Sequence, residues 1–228
     1  MIFRDQVREG ILIYFQSLAS FSQLALSVHV LRHRKNAIPK RDKTMQRITA
    51  VNPAEATGKA KQLLDGVQAK LGMTPNLMKT LAAGPAALEA YLNFGAALGT
   101  GKLDAKFREQ IALAVAQANS CEYCLSAHSA IGKMVGLKPE EITTSREAHS
   151  ADAKRNAGLQ FVQALVVQRG MVSDLAVAQV KAAGFSDGDI AELVANVAVN
   201  IFTNYFNHVA RTDVDFPHVA VAMETTVA

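Results

Sequence analysis

Two cysteines and a histidine form the most reactive pattern in this 228-residue sequence. Cys121 and Cys124 are its two cysteines, and His128 follows four residues after Cys124. On a helix, side chains three or four positions apart share a face, so the two sulfurs and the imidazole should form one stripe. Two thiols at this spacing can close a disulfide, and the imidazole can take a proton from Cys124. The pattern therefore predicts dithiol–disulfide chemistry.

The residues before the cysteines indicate that this pattern opens a helix. Asn119 and Ser120 are typical of a turn and a helix cap, which would place Cys121 at the first helical position. The first turn of a helix offers unpaired N–H groups and the positive end of the helix dipole, and both favour a thiolate over a thiol. One thiolate could then attack an oxidant, and the other cysteine could resolve the resulting sulfenic acid.

Glu109 is predicted to lie level with His128. It stands nine residues before Ala118, where the preceding helix should end, and this is about 13 Å at the helical rise. His128 stands eight residues after Ser120, which is about 12 Å. In an antiparallel hairpin of two helices these side chains meet, so Glu109 could orient His128 or relay its proton.

Several alternatives stay open at this stage. The cysteines could be small core residues, or they could bind a metal together with His128, although a closed zinc site usually needs a fourth ligand. Tyr123 fits a packing or hydrogen-bonding residue and is a possible proton relay. Asn204, Asn207 and His208 could line a pocket or an oligomer contact, and packing or capping is the simpler role for them.

From Met45 onward the sequence predicts an all-α fold. Apolar residues recur at helical spacing, and no run alternates for long enough to indicate a sheet. Caps and Gly or Pro breaks separate the helices. The predicted helices are residues 52–71, a short one from Thr74–Pro75, 85–98, 104–118, 121–135, 139–144, 151–169, 174–183 and 187–211.

The first 44 residues differ in charge from the rest of the chain. They hold eight Lys and Arg against three Asp and Glu, whereas residues 45–228 have a net charge of −1. Polar side chains interrupt residues 11–31 too often for a membrane span, and Asp5, Glu9 and the lack of a cleavage motif argue against a secretory signal. We therefore predict a basic N-terminal extension of unknown role over 1–44, with targeting or membrane-surface contact as the alternatives. Residues 45–228 should form the helical domain, and their near-neutral charge argues against nucleic-acid binding. A lone cysteine pair fits a reducing compartment, so a cytoplasmic location is expected.

The spacing of Glu109, Cys121, Cys124 and His128 resembles the signature of the alkylhydroperoxidase D-like (AhpD-like), peroxidase-related branch of the carboxymuconolactone decarboxylase superfamily. The resemblance extends from the Arg47–Ile48 opening to the region around residues 204–207. It implies an AhpD-like helical bundle, with a central antiparallel hairpin carrying the cysteines, that assembles into trimers or hexamers. It also implies a thiol peroxidase of peroxiredoxin type, without a cofactor, that reduces hydroperoxides with a lipoyl-type or thioredoxin-like dithiol reductant. Cys124 would be the peroxidatic cysteine and Cys121 the resolving one, with Glu109 and His128 as the proton relay.

Tyr123 departs from this family pattern, because the best-characterised members carry a second histidine between the cysteines. With a reference pKa of about 10, a tyrosine does not exchange protons at neutral pH as imidazole does, so the relay would run through water or be slower. The alternatives are a decarboxylase, as the superfamily name implies, and a non-catalytic redox-sensing or metal-binding module. Glu192, Asn204, Asn207 and Arg211 repeat the central spacing, which suggests an internal duplication whose second copy has lost its thiols.

Overall fold

The computed structural model describes residues 46–222. Within this range the chain is all-helical, with no strand, which confirms the predicted fold class. The predicted basic extension, residues 1–44, lies outside the described residues. The helices are α1 (Gly58–Leu71), α2 (Asn76–Leu81), α3 (Pro85–Leu98), α4 (Ala105–Ala118), α5 (Glu122–Met134), α6 (Pro139–Arg146), α7 (Ala153–Val167), α8 (Asp174–Ala182) and α9 (Asp187–Ala210).

Local capping signals explain most of these boundaries. The Asp104 carboxylate accepts the N–H of Phe107 at 3.0 Å and so begins α4. Ser186 and Asp189 bond reciprocally at the start of α9. Helix α1 begins later than predicted, because Asn52 caps only a single turn. Gly58 then takes a φ of 55°, which prevents that turn from continuing into the helix.

Helix α4 lies at the centre of the fold. It packs against α5, α6, α7 and α9. Its buried residues divide between two apolar clusters: Leu113 and Ala116 pack with residues of α1, α2, α3 and α5, whereas Ile111 and Val115 pack with residues of α7, α8 and α9. A helix packed on both sides has little freedom to shift, so the side chains that it carries are held in fixed positions.

The predicted hairpin is formed by α4 and α5, which are joined by the three residues 119–121. The repeated spacing near the C-terminus does not correspond to a second hairpin. Glu192, Asn204 and Asn207 all lie within the single uninterrupted helix α9, and Arg211 caps its end. The reason is that the apolar residues between Glu192 and Asn204 contain no turn-forming pair equivalent to Asn119–Ser120.

Residues 211–222, the C-terminal strap, return across α5 without regular structure. Four of their apolar side chains pack against the cluster that contains the cysteines: Val214, Phe216, Val219 and Val221. The Val219 N–H donates to Ser126 Oγ at 3.0 Å. The strap therefore fixes one side of α5.

Among the helices of residues 46–222, none combines the length and the hydrophobicity needed to cross a lipid bilayer.

Candidate active site at the Cys121–Cys124 turn

Cys121 and Cys124 are joined by a disulfide bond at the start of α5. Their Cα atoms are 5.3 Å apart, a spacing typical of disulfides. Both residues are buried, with exposed fractions of 1% and 2%. The structure thus shows the oxidised form of the cysteine pair, enclosed by the protein.

Cys121 caps α5 and does not occupy its first helical position, so the sequence-based placement was one residue too early. Ser120 has a φ of 54°, and this left-handed residue ends the turn after α4. Cys121 then takes an extended conformation, and its Sγ accepts the N–H of Cys124 at 3.3 Å. The sulfur of Cys121 therefore occupies the place of a capping oxygen, close to the positive end of the helix dipole.

Glu109 and His128 are hydrogen-bonded across the hairpin. The distance from His128 Nδ1 to Glu109 Oε2 is 2.8 Å, which confirms that the two side chains lie level. Both are largely enclosed, with exposed fractions of 19% for His128 and 16% for Glu109. Because a carboxylate accepts, Nδ1 carries the proton in this bond, and Nε2 is left as the nitrogen that can exchange protons. The imidazole lies one helical turn after Cys124, on the same side of α5.

The Tyr123 hydroxyl bonds to Leu77 and to the C-terminal strap. It accepts the N–H of Leu77 at 3.0 Å and donates to Asp215 Oδ1, in the C-terminal strap, at 2.9 Å. Its ring packs edge-on against Phe216. Burial, reinforced by the Asp215 carboxylate, raises the pKa of Tyr123 far above its ordinary value. The two hydrogen bonds therefore give Tyr123 a structural role, since they join α5 to Leu77 and to the strap.

Helix α9 contributes three polar side chains to the cysteine turn. Asn207 Nδ2 donates to Cys124 Sγ at 3.3 Å. Asn204 Oδ1 accepts from Asn119 Nδ2 at 3.0 Å, and His208 Nε2 donates to the Asn119 carbonyl at 2.8 Å. The sequence indicated these residues only as a spacing on a helix, because nothing local shows which helix lies opposite them.

Tyr91 borders the other side of the site and was not identified from the sequence. It lies on α3, with its ring centroid 6.3 Å from that of Phe202 on α9. Burial and the nearby Glu109 carboxylate raise the pKa of Tyr91 to about 12. The phenol therefore stays neutral at physiological pH. No sequence motif identifies Tyr91, because its position beside Glu109 results from the packing of α3 near α4.

Residues 85–165 match the model of the carboxymuconolactone decarboxylase family, and this region contains Glu109, both cysteines and His128. The chain is therefore similar to the carboxymuconolactone decarboxylase family over this central region. Among curated proteins, an uncharacterized protein of Haemophilus influenzae is 56% identical over 46 residues, which are 20% of this chain and 41% of that protein. The chain thus matches less than half the length of this relative.

Solved structures confirm the all-helical, AhpD-like fold. A peroxidase-related protein from Ralstonia eutropha JMP134, described as an alkylhydroperoxidase AhpD core, gives a TM-score of 0.67 at 25% identity, covering 74% of this chain and 92% of its own. A peroxidase-related protein from Silicibacter sp. TM1040 gives 0.66 at 22% identity, covering 78% and 94%. The debrominase Bmp8, as its C82A variant in complex with 2,3,4-tribromopyrrole, gives 0.65 at 18% identity, covering 76% and 94%.

Cys121, Cys124 and His128 were also candidate metal ligands in the sequence. Between residues 46 and 222, no group of three His, Cys, Asp or Glu side chains is placed to hold a metal ion. In the structure both sulfurs are bonded to each other.

Proposed function

We propose that this protein is a thiol-dependent peroxidase of the alkylhydroperoxidase type, which reduces hydroperoxides through a Cys121–Cys124 dithiol–disulfide cycle. The observation that carries the proposal is the disulfide at the N-terminus of α5, one turn from an imidazole that a carboxylate holds in place. The first helical turn favours a thiolate, and the Glu109–His128 pair supplies a group that can move protons beside it.

In the first step, the Cys124 thiolate attacks the terminal oxygen of a hydroperoxide. An S–O bond forms and the O–O bond breaks, so that Cys124 becomes a sulfenic acid and the peroxide leaves as an alcohol. The departing oxygen needs a proton, and in this proposal His128 delivers it. Glu109 stabilises the imidazolium that carries this proton.

In the second step, the thiolate of Cys121 attacks the sulfenic sulfur of Cys124. The S–S bond forms and the S–O bond breaks, and the departing hydroxide takes up the proton released from the Cys121 thiol and leaves as water. This step gives the disulfide seen in the structure. A dithiol reductant, lipoyl-type or thioredoxin-like, then returns both cysteines to thiols. Each cycle converts one hydroperoxide and one dithiol to an alcohol, a water and a disulfide. This cycle requires a reducing compartment, such as the cytoplasm.

Replacement of the peroxidatic cysteine tests the proposal. Cys124→Ser should abolish hydroperoxide consumption with a dithiol reductant, because no thiolate remains to attack the peroxide. Cys121→Ser is the matched variant: it should form a sulfenic acid at Cys124 once and then stop. Mass spectrometry of the wild type should show a reversible loss of two hydrogens at Cys121 and Cys124 after peroxide treatment. Unchanged turnover in Cys124→Ser would exclude the mechanism.

The similarity to Bmp8 defines a comparison substrate for the same assay. At 18% identity this similarity shows a shared fold and not a shared substrate. Incubation with 2,3,4-tribromopyrrole and a dithiol, with bromide release as the readout, separates peroxide reduction from debromination. We expect hydroperoxide consumption and no bromide. Bromide release without peroxide consumption would make debromination the better assignment.

We also propose that the protein is a homo-oligomer. Helix α3 is strongly apolar, yet Leu88 is its one fully buried residue. Large apolar side chains of α3 and α9 are exposed, and we call this set the exposed apolar face: Phe94, Phe202, Tyr205 and Val209. The three on α9 share one side of the helix, because they are three and four residues apart. Exposed apolar side chains grouped in this way are typical of protein–protein contacts. A second copy of the chain would cover it.

A further inference from the structure

Asn207 makes a direct contact with the sulfur on which the proposed chemistry takes place. Its side chain is 4% exposed and reaches Cys124 from α9, with Nδ2 donating to Sγ at 3.3 Å. The backbone N–H of Cys124 donates to the other sulfur, Cys121 Sγ. Each cysteine sulfur therefore receives one N–H bond, but the one on Cys124 comes from a side chain of a different helix.

The rest of the Asn207 amide is left without a partner. Within residues 46–222, no group donates to its Oδ1, although that atom is buried. A buried acceptor without a donor destabilises the folded state, and an apolar residue of similar size would avoid that cost. Packing therefore does not explain an asparagine at this position. The bond to the sulfur does, since only a side chain with an N–H can make it.

Two neighbours on α9 hold this amide in register with the cysteine turn. Asn204, one turn earlier, binds the side chain of Asn119, and His208 binds the Asn119 carbonyl. Asn119 lies two residues before Cys121, so these bonds fix α9 against the segment that leads into the disulfide. Together they fix the position of Asn207 relative to Cys124.

We propose that Asn207 is the hydrogen-bond donor that stabilises the Cys124 thiolate and thereby sets its reactivity. The proposal rests on the proposed function, since it assigns a role at the same sulfur. An N–H bond to an ionised acceptor is stronger than one to a neutral acceptor, so the amide favours the thiolate over the thiol. The disulfide sulfur is also neutral, so the same bond favours the reduced state over the disulfide.

The experiment measures the pKa of Cys124 directly, without peroxide. In the full chain carrying Cys121→Ser, thiolate absorbance near 240 nm is followed against pH, with and without Asn207→Ala. Loss of the bond should raise the pKa of Cys124 by about one unit, which is a tenfold loss of thiolate at a pH below both pKa values. Asn207→Asp, which keeps the shape and adds a negative charge, should raise the pKa further.

The matched control is Asn200→Ala. Asn200 is a buried asparagine of the same helix, but its Nδ2 donates to the Asn196 carbonyl within α9 and not to a sulfur. It should leave the pKa of Cys124 unchanged. The titratable groups on the elements around the turn are kept in every variant: Tyr91 on α3, Glu109 on α4, His128 on α5 and His208 on α9. An upward shift in Asn207→Ala but not in Asn200→Ala therefore reports the bond itself.

A second measurement covers the oxidised state. In the protein with both cysteines, Asn207→Ala should make the Cys121–Cys124 disulfide harder to reduce. A tenfold shift of the dithiol–disulfide equilibrium corresponds to about 30 mV toward more negative potential. If Asn207→Ala fails to fold, Asn207→Asp carries both measurements. An unchanged pKa and potential in a folded Asn207 variant would overturn the proposal and leave the peroxidase function standing. If the pKa and the potential shift as expected but the protein does not reduce peroxides, the role of Asn207 stands and the peroxidase function is overturned.

Discussion

At the scale of single residues, the hydrogen bond between Glu109 and His128 is the feature most directly tied to turnover. The carboxylate fixes the imidazole and balances its charge when it is protonated. Glu109→Gln keeps the shape of the side chain but removes the charge, so the imidazolium is less favourable. We expect kcat for peroxide reduction to fall by about 10- to 100-fold, within the usual range of general acid–base catalysis.

The control for this variant is Glu89→Gln on α3. Glu89 pairs with Lys59 at the surface, and such pairs contribute little to stability. It should keep wild-type kcat. A wild-type kcat and pH profile in Glu109→Gln would remove Glu109 from the mechanism, whereas an equal loss in both variants would point to a general effect of charge.

The sequence predicted the Glu109–His128 contact but not the contacts of Tyr123 or Asn207. The Glu109–His128 contact follows from the helical rise and the short turn, because both residues belong to one hairpin. The Tyr123 bond to Asp215 spans 92 residues and the Asn207 bond to Cys124 spans 83. Such pairings depend on how distant helices pack, and helical periodicity shows only which face is apolar.

At the scale of elements, the C-terminal strap and α5 are joined through Tyr123. Tyr123→Phe removes the bond to Asp215 and leaves the buried N–H of Leu77 unpaired. We expect the free energy of unfolding to fall by about 1–3 kcal/mol, measured by urea denaturation. Thr143→Val, which removes an exposed hydroxyl of α6, is the control and should change stability by less than about 0.5 kcal/mol.

The same Tyr123 variant tests the relay suggested by its position between the cysteines. Its kcat should be measured under conditions where the variant is fully folded. A large loss of kcat without a loss of stability would contradict the structural role and restore Tyr123 as a relay. A loss of stability alone agrees with its bonds to Leu77 and the strap.

Helix starts were predicted correctly where a cap residue bonds as its type suggests. Asp104 and Ser186 begin α4 and α9 as expected, since each accepts the N–H of the residue three positions on. The sequence indicated Ser120 as the cap of α5, but Cys121 takes that position in the structure. The cause is the left-handed conformation of Ser120, which depends on how α4 ends.

At the scale of the whole molecule, the exposed apolar face predicts self-association. Light scattering after size-exclusion chromatography should give a mass above that of one chain for the wild type. The double variant Tyr205→Glu with Val209→Glu places two charges on this face and should shift the protein toward the monomer. Val167→Glu, at an exposed residue of α7, is the control and should keep the oligomer. A wild type that is monomeric at all concentrations would contradict the proposal.

The fold class was predictable because helical spacing, caps and breaks agree along the chain from Met45 onward. The arrangement of the helices was not, apart from the α4–α5 hairpin. The two-sided burial of α4 follows from Ile111, Leu113 and Val115, which are fully buried on different faces. A sequence pattern of this kind indicates a central helix but does not identify its neighbours.

The strap also has a consequence for the order of events during synthesis. Asp215 binds Asn76 and Tyr123 across 139 and 92 residues of sequence, and it follows all of the described helices in the chain. On the ribosome, α4, α5 and both cysteines emerge well before this residue. The nascent cysteine turn is therefore made before the strap can pack against it, and it gains this support only when translation reaches residues 211–222.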